Sequence, residues 1–109
     1  MQETDVIAGL AALAQETRLR LFRLLIETGT EGMTPTGITE KLGLAPSAIS
    51  FHLKELLHAN LVTVERQGRH LIYRADLNTM NQLLAYLTTN CCQGVPCFDL
   101  PAARCQSPC

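Results

Sequence analysis

All five cysteines of this 109-residue chain fall between residues 91 and 109. Cys91 and Cys92 are adjacent, Cys97 follows after Gln93-Gly94-Val95-Pro96, and Cys105 and Cys109 lie further on. Soft thiolates favour soft ions, and trivalent arsenic is satisfied by three sulfurs in a pyramid. Adjacent cysteines in an extended strand point opposite ways, so a shared ion requires a bend. Gly94 and Pro96 provide for one and make Cys97 the third candidate ligand beside Cys91 and Cys92. Two other uses of these thiols stay open. Zinc could take four of the five, although the paired C-x-x-C spacing is missing. Thiol–disulfide sensing is the other, because neighbouring thiols oxidise readily. Catalysis is not expected. Phosphate-cradling loops of cysteine phosphatases and arsenate reductases place five residues between cysteine and arginine, whereas Cys97 and Arg104 have six between them and lack the loop's glycines.

A disulfide framework would staple elements across a fold. Here the thiols would staple only a tail, and their number is odd. The opening residues show no basic region followed by an apolar run, so no signal peptide is expected. No apolar stretch approaches the roughly 18 residues of a membrane span. The expectation is a soluble, cytoplasmic protein with reduced thiols and no membrane partner. Its size fits one domain, and 47% hydrophobic residues can build a core.

The elements that must position this chemistry follow from the apolar spacing. Asp5 precedes Val6, Ile7, Leu10 and Leu13, a short capped helix. Thr17 can cap a second helix with Leu21, Phe22, Leu24 and Leu25, stopped by Thr28-Gly29. Thr34-Pro35 opens a short third helix that ends at Gly43, and Pro46 opens a fourth through Leu57. Val62, Val64, Leu71 and Tyr73 then alternate with polar residues around Arg66-Gln67-Gly68-Arg69, a β-hairpin. Asn78 can cap a last helix carrying Met80, Leu83, Leu84 and Leu87, and from Asn90 onward glycine and prolines forbid regular structure. The expected fold is mainly α with a small β-hairpin, a winged helix-turn-helix over residues 1–90. Residues 91–109 are expected to form a cysteine-rich tail.

Helical arithmetic on the fourth helix places Ile49, Leu53, Leu56 and Leu57 on one face. Ser47, Ser50, Phe51 and Lys54 lie roughly opposite, with His52 at the flank. Serines can donate to phosphates or base edges, Lys54 can neutralise a phosphate, and Phe51 can touch a thymine methyl. Charge agrees with this surface. Residues 1–45 carry net −2, residues 46–74 net +2 with all three histidines, and residues 75–109 net −1. Arg66, Arg69 and His70 flank the wing turn, where a phosphate or a narrow minor groove would be met. Double-stranded DNA is the expected partner, and the modest charge calls for two copies.

Three stretches carry a family resemblance: Leu13-Ala-Gln-Glu-Thr-Arg-Leu-Arg-Leu-Phe-Arg-Leu-Leu25, Ile38-Thr-Glu-Lys-Leu-Gly-Leu-Ala-Pro-Ser-Ala-Ile-Ser-Phe-His-Leu-Lys-Glu-Leu56, and the wing residues Leu61, Val62, Arg66–Arg69 and Tyr73. Over residues 5–90 the chain resembles the ArsR/SmtB family of metal-responsive winged-helix repressors. The resemblance implies a homodimer through the first and last helices that represses an operator until an inducer binds. Three inducer sites of the family are missing here. Pro35–Leu42 has no thiol for the arsenic site before the recognition helix, no histidine follows Asp76 for the zinc site on the last helix, and no cysteine precedes Cys91 for an amino-terminal cadmium site. Cys91-Cys92-Gln-Gly-Val-Pro-Cys97 resembles the carboxy-terminal arsenite sites of some members. The expected inducer is therefore As(III), with methylarsenite or Sb(III) as variants and no organic cofactor. Zinc, cadmium or redox sensing on the same fold, and a constitutive DNA-binding module, are the alternatives.

Overall fold

A computed structural model describes residues 1–89 and bears out the winged helix-turn-helix. The order is α1 (Glu3–Leu13), α2 (Glu16–Thr28), a 3-10 turn (Gly29–Glu31), α3 (Pro35–Leu42), α4 (Pro46–His58), β1 (Val62–Gln67), β2 (His70–Ala75) and α5 (Leu77–Thr88). The expected irregular tail and all five cysteines lie outside the described residues. Among those described, no helix is long and apolar enough to cross a membrane.

Helix starts show where local chemistry departs from the expected caps. Asp5 is not the cap of α1 but its third residue, where its carboxylate accepts the Gln2 backbone N–H at 3.1 Å. The α2 cap is Gln15, whose Oε1 accepts the Arg18 N–H at 2.8 Å, so Thr17 lies inside the helix. Asp76, not Asn78, caps α5 by accepting the Thr79 N–H at 3.1 Å. The two remaining starts follow expectation: Thr34 caps α3 through the Gly37 N–H with Pro35 in the first turn, and Pro46 opens α4.

Leu21 and Leu25 of α2, Ile38 of α3, Ile49 and Leu56 of α4, and Leu61 are fully buried together. They fix the angle between α3 and α4, which the short connection Gly43-Leu44-Ala45 joins. Gly43 sits in the left-handed region at φ 68° and its N–H closes α3 on the Thr39 carbonyl at 2.8 Å. The hairpin pairs Val62 with Ala75 through to Gln67 with His70 in antiparallel register. Its root is anchored by buried Val62 and Tyr73. Met33 adds a one-residue third strand that the sequence reading missed, exchanging two hydrogen bonds of 3.0 and 2.8 Å with Tyr73. Gly32 makes that approach feasible: at φ 69°, a Cβ there would lie 2.7 Å from the Tyr73 carbonyl oxygen.

Candidate nucleic-acid interface

Because α4 commits Ile49, Leu53 and Leu56 to the core, its other side faces solvent. Ser47, Ser50, Phe51 and Lys54 are all exposed there, as the helical arithmetic requires. The first turn has no side-chain cap, so its backbone N–H groups add to an anion-favouring end. A shallow groove of about 160 Å³ runs between the starts of α3 and α4, lined by Pro35, Thr36, Thr39, Glu40, Pro46 and Ser50. It brings two threonine hydroxyls beside Ser50. The sequence reading missed them, because hydroxyls on a short helix carry no distinguishing spacing.

His52 differs from its neighbours. It is half-buried, its Nδ1 is buried without a hydrogen-bond partner, and its ring meets the Phe51 ring edge-on at 5.3 Å between centroids. Burial holds its pKa below the usual histidine value, the Arg18 guanidinium lowers it further, and Glu55 pulls the other way. A neutral imidazole at pH 7 brings no charge to this surface.

The wing turn has two residues, Gly68 and Arg69, between the paired Gln67 and His70. Gly68 stands at φ 63° with open space around it, the first position of a tight hairpin turn, where a side chain would be strained. Arg66, Arg69 and His70 are exposed around it. Arg74 belongs to the same basic segment but turns inward. It pairs with Glu65 at 2.8 Å and donates to the Thr30 carbonyl at 2.7 Å, tying the wing to the turn after α2. Hydrogen bonds from Arg74 and then from Gln67 hold the Glu65 carboxyl below its usual pKa. Among the described residues, Lys54, Arg66 and Arg69 are thus the cations of helix and wing without an ion-pair partner.

This leads to an expected result for the wing. Arg69→Ala should weaken binding to operator DNA and lower the slope of log affinity against log salt by about one unit. Fluorescence anisotropy at several salt concentrations measures it. An unaltered slope would remove Arg69 from the interface.

The thiols Cys91, Cys92 and Cys97 cannot be placed against this surface, since they lie beyond Thr89, the last described residue. α5 ends at Thr88, so the thiol pair begins three positions later in the sequence. Among the described residues, no group of three His, Cys, Asp or Glu side chains is gathered closely enough to hold a metal ion.

A helix-turn-helix domain family matches residues 13–65, spanning α2 to the middle of β1. The chain is 35% identical over 74 residues to the arsenical resistance operon repressor of Bacillus subtilis, covering 68% of this chain and 69% of that protein. An ArsR-like transcriptional regulator from Rhodococcus superposes with a TM-score of 0.70 at 27% identity, over 77% of this chain and 76% of its own. The antimony-specific transcriptional repressor AntR superposes with a TM-score of 0.61 at 29% identity, over 77% and 75%.

Proposed function

The chain belongs to the ArsR family of winged helix-turn-helix transcriptional regulators, and from that premise we propose that it is a homodimeric repressor released from its operator when As(III) binds Cys91, Cys92 and Cys97. Recognition helix and wing hold the DNA through Ser47, Ser50, Phe51, His52, Lys54, Arg66, Arg69 and His70. Among these His52 acts as a neutral, half-buried flank to Phe51.

One observation carries the coupling. The thiol pair starts three positions after α5, and α1 and α5 are packed on each other with apolar side chains left exposed. Gly9 lets the two helices meet, since a Cβ there would stand 2.8 Å from Leu83 Cδ1. Ile7 and Leu10 of α1 and Tyr86 and Leu87 of α5 remain uncovered. A second copy covering these residues makes α5 a dimer helix. An ion gathered at its end then distinguishes two arrangements of the dimer, as any inducer must.

The chemistry balances simply. Each thiol sulfur displaces one hydroxyl of arsenous acid, and the thiol proton leaves with that hydroxyl as water. Three such exchanges complete the pyramid. Antimonite undergoes the same exchange, and methylarsenite needs only two, which Cys91 and Cys92 supply. A reducing cytoplasm keeps the thiols available.

Counting sulfurs tests the ligand set. X-ray absorption of the reduced protein with one equivalent of arsenite should give three As–S bonds, and a chain cut after Phe98 should give three as well. Gly94 and Pro96, residue types that favour turns, stand just before Cys97 in the sequence, and Leu100-Pro101-Ala102-Ala103 carries no such pair before Cys105. Two sulfurs in the shortened chain with three in the full one would move the third ligand to Cys105 or Cys109.

A further inference from the structure

On the exposed side of α4, Phe51 stands out among hydroxyl and charged neighbours. Its side chain is 55% exposed, the largest apolar group on that face, at the sixth residue of the helix. Ser47 lies one turn before it, Ser50 beside it, and Lys54 nearly one turn after it. Fold stability gains little from a benzyl group left in water at this point. The ring is nonetheless braced rather than free, because the half-buried His52 ring meets it edge-on, 66° from parallel. His52 is itself half-buried, with its Nδ1 out of solvent and without a hydrogen-bond partner.

A phenyl ring has no donor or acceptor and cannot read the hydrogen-bonding pattern of base edges. The apolar feature that base edges offer in the major groove is the C5-methyl group of thymine. We propose that Phe51 is a specificity-determining residue that packs on one thymine methyl in each operator half-site, with His52 as the positioning residue that fixes its ring. This rests on the operator-binding reading above and adds to it the base that is read. Serines and lysine set the register on the backbone, and Phe51 selects sequence.

The test uses the full chain and a duplex selected by that chain from a randomised DNA pool. Each thymine of the selected duplex is replaced in turn by deoxyuridine, which removes only the methyl group. At one position per half-site the wild-type protein should lose about fourfold in affinity, the value of one buried methyl. Phe51→Ala should bind the unmodified duplex about tenfold more weakly and show no further loss with deoxyuridine. His52→Leu should keep the salt slope but reduce the deoxyuridine penalty below about twofold, which a merely structural role would leave unchanged. Circular dichroism confirms that both variants fold. No sensitive thymine, or a penalty that persists in Phe51→Ala, overturns the thymine assignment alone. A penalty unchanged in His52→Leu overturns the positioning role. A chain that enriches no sequence overturns the operator-binding reading and this inference with it.

Discussion

Replacing Ile7 and Leu87 together with glutamate is expected to leave a folded monomer that binds operator DNA at least about a hundredfold more weakly. Neither residue supports the protomer core. Ile7 is 57% exposed and Leu87 53% exposed, while the core is closed by residues such as Leu25 and Leu56. Glutamate there costs the protomer little. In a dimer the same carboxylates would be buried without partners, a cost of several kcal/mol per charge. The effect on DNA is large because two joined recognition helices make the second half-site an intramolecular event, and a monomer loses that advantage. With three unpaired cations per protomer at helix and wing, one copy has little else to hold it. Light scattering reports the mass and anisotropy the affinity. A variant that stays dimeric would place the interface elsewhere than α1 and α5.

The second large effect concerns the inducer. Cys91→Ser and Cys92→Ser should each leave the DNA affinity of the ion-free protein near wild type and abolish release by arsenite. Neither residue belongs to the helix or wing, so the apo interface is untouched. Release needs an inducer that binds one state of the dimer better than the other, typically by about 1–3 kcal/mol. A serine hydroxyl is a hard, weak ligand for a soft ion, and losing one sulfur of three removes more than that margin. Cys97→Ser should strongly reduce the arsenite response and spare most of the methylarsenite response. A selective loss of that kind is measured by titrating both inducers in parallel on labelled DNA.

Much of this architecture could be read from residue order because short-range rules were consistent. Thr34-Pro35, Gly43 and Pro46 punctuate the helix-turn-helix, and each does in the structure what its backbone chemistry demands. The outward face of α4 followed from the 3.6-residue period alone. The mistakes came where the helix begins earlier than the first small polar residue suggests. Gln15, two positions before Thr17, accepts the Arg18 N–H, and Asp76, two positions before Asn78, accepts the Thr79 N–H. Long-range contacts left no trace in the order of residues. The Met33 bridge to Tyr73 is a single pair with no periodicity, and Arg74 joins Glu65 and Thr30 only once the hairpin is folded onto the turn after α2. Because the Arg74–Glu65 pair carries one charge of each sign, it leaves the net charge counted along this segment unchanged. The thiol assignment still rests on spacing, because its ligand set is completed by an ion rather than by a buried apolar pattern.

The central claim is that the thiols after α5 convert a bound metalloid into loss of DNA. Its most direct test is one anisotropy titration, in which reduced full-length protein on labelled operator DNA receives arsenite, with zinc and cadmium in parallel and the Cys91→Ser variant alongside. The account predicts complete release by arsenite near one equivalent per protomer, no release by zinc or cadmium at that ratio, and a variant that stays bound. Wild-type protein that keeps its DNA through the arsenite titration, or a serine variant that leaves at the same concentration, would contradict it.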